Sequence, residues 1–183
     1  MLVVAEREQL PVNAARAGSS EAWDALFKRY QMPLYVYVFE LVRNEQSSLD
    51  IVQETFINAA RHIGQLREDT KFGSWLFGIA HQKCIQLWRD KRREEDWRDQ
   101  CQETKPDFED DPAELLIQKE QELEFMKLLE RLPLPQRSVL LLHFIEDFSL
   151  ETIAAITGTE VGTVKSRIHY GKKAFRKLVK ESK

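Results

Sequence analysis

The sequence predicts an all-α protein of two small helical domains joined by an acidic linker. Three observations carry that expectation. Apolar residues recur at intervals of three and four rather than two, no candidate strand interrupts them, and Ser and Gly stand where helix caps and turns are needed. A chain of 183 residues with 43% hydrophobic content can core one or two such domains and is too apolar to stay disordered.

In the first domain Ser19 is the expected N-cap of a helix whose apolar stripe runs Trp23, Leu26, Phe27, Tyr30 and Leu34, then Tyr37, Val38 and Leu41. Pro33 lies in that stripe and should kink or break it. A second helix is expected from about Ser48 to Gly64 with Val52, Phe56, Ala59 and Ile63 inward. A third is expected from about Phe72 to Arg92 with Leu76, Ile79, Ala80 and Leu87 inward. In the second domain Ser149 caps "LETIAAIT", Gly158 supplies a turn, and a helix starts at about Glu160, which is the order of a helix-turn-helix.

Charge separates the two pieces. The total is only -3, yet Arg67, Lys71, Lys83, Arg89, Lys91, Arg92 and Arg93 crowd the end of the first piece, and from Lys165 onward Glu181 alone opposes the cations. Between these basic zones "EEDWRDQCQETKPDFEDDPAE" is acidic, contains Pro106 and Pro112, and lacks helical periodicity. The expected boundaries are a domain at 12–93, a linker at 94–120 and a domain at 121–183. The apolar runs "LYVYVFELV" and "SVLLLHFI" are too short to span a bilayer, so a cytoplasmic protein without membrane insertion is expected. Cys84 and Cys101 form neither a disulfide framework nor a zinc set. His81 and Cys84 have i, i+3 metal spacing without a second pair, and no metal or other cofactor is expected.

Three clusters point to chemistry. On the second helix Asp50, Gln53 and Glu54 fall at i, i+3 and i+4 and share an acidic, hydrogen-bonding face, which an ordinary solvated helix could also carry. On the third helix and the loop before it, cations alternate with Phe72, Trp75, Phe77 and Trp88, a mixture suited to holding phosphates while stacking on bases; the competing reading places the Trp residues in the core. On the last helix Val161, Val164, Ile168, Phe175 and Leu178 form the buried stripe. Ser166, His169, Tyr170, Lys173 and Lys177 then face outward, flanked by Lys165, Arg167 and Lys172, on a helix sized for the major groove.

"LDIVQETFINAAR", "KFGSWLFGIAHQKCIQLWRDKRR" and "SLETIAAITGTEVGTVKSRI" together resemble, in the right order, the hallmark segments of bacterial extracytoplasmic-function sigma factors. The resemblance covers most of the chain and implies a transcription initiation factor, not an enzyme. Its first domain would hold RNA polymerase core and open the minus-ten promoter element, and its second would bind the minus-thirty-five element. By it Asp50, Gln53 and Glu54 would meet the clamp helices of the polymerase large subunit. Thr70, Lys71 and Phe72 would lie in the loop that captures an unstacked base, followed along the helix by Trp75, Gln82, Lys83 and Arg89 on minus-ten DNA. Thr163, Lys165, Ser166, Arg167, His169, Tyr170, Lys172 and Lys173 would meet minus-thirty-five DNA. The partners implied are core polymerase and promoter DNA, with an anti-sigma factor as a further partner the family allows. The chain departs from the pattern at Ser47, Leu49, Gly78, Tyr170 and Gly171, the last two bearing on promoter preference.

The alternative is a stand-alone helix-turn-helix regulator whose first domain senses a signal or dimerises without entering polymerase. A nucleic-acid-processing enzyme has the basic zones in its favour and lacks acid-base or metal constellations.

Overall fold

The computed structural model describes residues 10–99, 129 and 131–181, with side chains over 10–90, 129 and 131–177. No strand occurs among them, and none of their helices is long and apolar enough to cross a membrane. The first domain opens with α1 (Val12–Arg16), α2 (Ser20–Val42) and α3 (Glu45–His62), continues through 3-10 turns at Ile63–Gln65 and Asp69–Lys71, and closes with α4 (Phe72–Asp99). The second contains α5 (Leu134–Ile145), α6 (Leu150–Thr157) and α7 (Val161–Glu181).

Caps explain most of the boundaries. The Ser19 hydroxyl accepts from Ala22 N–H and starts α2, while Ser149 does the same for Thr152 N–H at α6. α3 starts earlier than expected because Asn44, not a residue beside Ser48, accepts from Ser47 N–H. α2 also runs unbroken through Pro33, correcting the expected break. The missing N–H costs roughly 3 kcal/mol. Burial of Tyr30, Leu34, Tyr37 and Val38 around it offsets that, at about 1.5 to 3 kcal/mol for each large apolar side chain. α4 extends to Asp99, six residues into the segment expected as linker. The remainder of that segment, 100–120, and Cys101 within it lie outside the described residues.

α2, α3 and α4 pack together, with α1 laid on α2. Leu26, Leu34, Tyr37, Leu41, Phe72, Leu76 and Phe77 are the large fully buried side chains at the centre. Gly73 lets the start of α4 approach Tyr30: a Cβ at that position would lie 2.7 Å from the Tyr30 hydroxyl oxygen. In the second domain α5, α6 and α7 enclose Val139, Leu142, Ile153, Val164 and Ile168. The two domains also touch, α5 resting on α2 and α6 on α4.

Candidate nucleic-acid interface

The helix-turn-helix forms as its local chemistry requires. Gly158 ends α6 in the left-handed region at φ 63°, and its N–H bonds to Ala154 O, a conformation that costs glycine little. α7 then turns Val164 and Ile168 into the core, while Thr163, Lys165, Ser166, His169, Tyr170 and Lys173 are exposed on its other side. Arg167 and Lys172 are half-buried. The Lys172 ammonium lies 5.3 Å from the centre of the Phe144 ring, and His169 meets Tyr170 edge to face at 5.3 Å. Val161 and Phe175 are half-buried along the inward stripe, and the Leu178 side chain lies outside the described residues.

Gly171 is buried against α5, where a Cβ would come within 2.9 Å of Leu140 Cδ1. The departure at this position therefore lies in the α5–α7 contact, which helix periodicity does not reveal. No such cause applies at Gly78, where a Cβ would meet nothing within 4 Å.

In the first domain Asp50, Gln53 and Glu54 are all exposed on α3. Gln46 Nε2 donates to Asp50 Oδ1 at 3.1 Å, and Lys83 Nζ pairs with Glu54 Oε2 at 2.5 Å. The acidic cluster and the basic helix α4 are thus neighbours, linked through a cation expected on nucleic acid and an acid expected on a protein. Thr70, Lys71, Gln82 and Arg89 are exposed, and Lys83 and Trp75 half-buried. The loop carrying Thr70 and Lys71 is tied to α1: the Arg16 guanidinium donates to Asp69 Oδ1 at 2.6 Å and to Leu66 O at 3.1 Å.

Phe72 is turned inward rather than standing out of the loop. Its ring is fully buried, 6.3 Å from Trp23, 5.7 Å from Tyr30 and 6.1 Å from Trp75, centroid to centroid. Its position at the first turn of α4 points it down onto α2, so it anchors the loop rather than standing out of it. Trp88 is tied to α2 but not in the core: its indole Nε1 donates to Leu41 O at 3.0 Å while the ring stays 38% exposed. Lys91, Arg92 and Arg93 of the basic zone have side chains outside the described residues.

His81 and Cys84 are buried, and neither stands in a group of three or more metal-ligating side chains among the described residues. His81 Nδ1 and the Tyr37 hydroxyl share a hydrogen bond at 2.8 Å. Burial lowers His81 to about 4, helped by the positive charge of Arg167 on α7, and burial pushes the Cys84 thiol up to about 12. A thiol held neutral is a poor nucleophile and ligand.

The chain matches the Sigma-70 region 2 family over residues 26–94 and the Sigma-70 region 4 family over 122–175. It is 29% identical to the RNA polymerase sigma-H factor of Pseudomonas aeruginosa over 97% of this chain and 96% of that one. It is 31% identical to the ECF RNA polymerase sigma factor EcfG of Rhodopseudomonas palustris over 80% and 78%. Among solved structures it shares its fold with the sigma factor RpoE from Bartonella quintana, crystallised with the anti-sigma factor NepR. That match has a TM-score of 0.73 and 24% identity, and covers 87% of this chain and 98% of that one.

Proposed function

Because the chain belongs to the extracytoplasmic-function sigma factors of RNA polymerase, we propose a division of labour between the surfaces just described. The protein is a transcription initiation factor that binds core polymerase and directs it to promoter DNA. Asp50, Gln53 and Glu54 on α3 form the polymerase contact, an exposed acidic surface that can steer and complement a basic partner. Thr70, Lys71, Gln82, Lys83 and Arg89, with the edge of Trp75, hold minus-ten DNA. Their cations bind phosphates while unstacking costs of a few kcal/mol are met by captured bases.

On α7 the early residues Thr163, Lys165, Ser166 and His169 enter the major groove of the minus-thirty-five element, and Tyr170, Lys172 and Lys173 hold its flanks. Arg167, half-buried beside them, belongs to the same set. Opening DNA in this way needs positioned surfaces and no bond-making residue, so the protein acts without catalysis and in the cytoplasm, beside polymerase. The RpoE structure contains an anti-sigma factor, and a partner of that kind belongs to the reading for this chain too.

The observation that carries the promoter assignment is the one-sided exposure of α7, with six polar or cationic residues on the face opposite Val164 and Ile168. A stand-alone regulator would share that face but would not belong to a polymerase-binding family or carry its region 2. In-vitro transcription with core polymerase and a randomised promoter library tests the reading: enriched, spaced promoter elements support it, and transcription no different from core alone overturns it.

A further inference from the structure

The loop between α3 and α4 is anchored at both ends by burial, at Ile63 and at Phe72. Between these anchors the backbone makes two tight turns, with Leu66 N–H returning to Ile63 O at 3.1 Å and Lys71 N–H to Glu68 O at 3.0 Å. Arg16, on the last turn of α1, bridges from one turn to the other. Its Nη2 donates to Leu66 O at 3.1 Å and to Asp69 Oδ1 at 2.6 Å, and its Nε to Ile63 O at 3.5 Å. One planar guanidinium therefore serves three acceptors spread along the loop, which a point charge could not do.

α1 is a firm base for that reach. Val12 and Ala15 are buried where α1 lies on α2, Trp23 Nε1 donates to Ala15 O at 3.1 Å, and Asn13 Oδ1 accepts from Arg16 Nη1. All three guanidinium nitrogens are thus engaged. Yet Arg16 is no core residue: its side chain is 30% exposed and that of Asp69 31%, and ion pairs at such exposure add little to global stability. What the contact restricts is local, because the segment between the anchors samples other turns once the tie is cut. Thr70 and Lys71 follow Asp69 directly and are exposed, so where Asp69 is held sets where they point. Lys71 is oriented further by its pair with Glu68 at 2.8 Å.

We propose that Arg16 is a positioning residue for minus-ten recognition: through Asp69 and the Leu66 carbonyl it holds the loop in the shape that presents Thr70 and Lys71 to DNA. The inference rests on the sigma-factor reading and adds to it a residue that need not touch DNA itself. A loop already ordered does not meet the ordering cost at the moment of binding. If loss of the tie left the competent shape populated about one time in ten, DNA affinity would fall about tenfold. Lysine at this position would keep the ion pair with Asp69 without spanning the three acceptors.

The test compares full-length wild type, Arg16→Ala, Arg16→Lys, Asp69→Ala and the Arg16→Ala/Asp69→Ala double variant. Hydrogen exchange on the free proteins reads the order of residues 64–71. Holoenzyme made with core polymerase is titrated against fork-junction DNA carrying the minus-ten sequence enriched from a randomised library, and polymerase affinity and thermal melting are measured alongside. In Arg16→Ala, loop exchange is expected to quicken about tenfold and fork-junction affinity to fall about tenfold, with polymerase affinity and melting temperature near wild type. A general loss of folding would not split DNA binding from polymerase binding in this way. Arg16→Lys should recover part of both losses, and it replaces the alanine variant if that one melts early. The double variant should be no worse than the weaker single, since each substitution removes the same contact. Unchanged loop exchange in Arg16→Ala would overturn the proposal, as would a loosened loop with wild-type DNA affinity, a lysine variant no better than alanine, or additive losses in the double variant. If wild-type holoenzyme itself ignored the DNA, the sigma-factor reading would fall and the positioning role with it, while hydrogen exchange would still decide whether Arg16 orders the loop.

Discussion

Tyr37 and His81 face each other across the α2–α4 interior, hydroxyl oxygen to Nδ1 at 2.8 Å, and the burial of that histidine, with the positive charge of Arg167 near it, ties the stability of the fold to pH. His81 titrates near 6.5 when unfolded and at about 4 in the fold. Below pH 6.5 the unfolded chain therefore binds the extra proton, so the contribution is complete above 6.5 and is lost as pH falls toward 4. Between pH 7 and 5 the loss should be about 2 kcal/mol, at ~1.4 kcal/mol per pH unit below the unfolded pKa. Urea unfolding at both pH values measures it. His81→Gln should be less stable at pH 7 and flatten this segment of the profile; an unaltered profile in that variant would assign the pH dependence elsewhere.

Gly171 and Leu140 set a finer balance. Alanine at 171 improves helix propensity by up to about 1 kcal/mol. Its Cβ would crowd Leu140 Cδ1 at 2.9 Å, but that methyl borders a recess of about 320 Å³ lined by Leu129, Phe144, Lys172 and Phe175, into which it can swing. Gly171→Ala is therefore expected to raise the melting temperature slightly. Gly171→Val, with two more methyl groups against α5, should lower it, since overpacking costs about 1 to 3 kcal/mol. Calorimetry on the pair checks both signs.

What could be read in advance divides along physical lines. The capping hydroxyls of Ser19 and Ser149 and the left-handed Gly158 act within a few residues, so their local pattern is sufficient to place three helix ends. Pro33 is tolerated inside α2 because Tyr30 and Leu34 are buried around it, a tertiary effect that overrides propensity. The sequence around Phe72 does not fix its role, because an aromatic among cations has the same pattern whether it stacks on a base or packs on Trp23 and Tyr30. Arg16 and Asp69 stand 53 residues apart on elements whose local signals say nothing of each other, so their pairing has no sequence signature at all.

Phe72→Ala should behave as a core truncation, costing about 3 to 5 kcal/mol. The melting temperature should fall steeply, and any defect in promoter opening should disappear when assays are run at a temperature where the variant is folded. A folded variant that still failed to expose promoter thymines to permanganate would restore a direct role for the ring.

Replacing Asp50, Gln53 and Glu54 together by Ala should weaken binding to core polymerase while leaving stability nearly unchanged. All three are exposed, and the Glu54–Lys83 pair, with its carboxylate 62% exposed, contributes at most about 1 kcal/mol. A pull-down titration against core enzyme, with thermal melting alongside, separates the effects. Wild-type affinity in the triple variant would remove this face from the interface.

Ser166, His169 and Lys173 test the placement of α7 in the groove, because all three are exposed and they lie at different distances from its start. Residues near the start reach base edges; later cations meet the backbone. Lys173→Ala, assayed in holoenzyme on promoter DNA, should weaken binding about equally on all sequences and reduce the log-affinity versus log-salt slope by about 1, the signature of one lost phosphate contact. Ser166→Ala or His169→Ala should instead change which bases are preferred, at roughly 1 to 3 kcal/mol per lost contact, with little change in slope. Free histidine gains charge below about 6.5, so the series belongs well above that pH, where the slope counts only permanent cations. Fluorescence anisotropy on a selected site and its single-base variants distinguishes the two behaviours. If Lys173→Ala altered base preference while the other two lowered affinity uniformly, the helix would have to enter the groove by its other end.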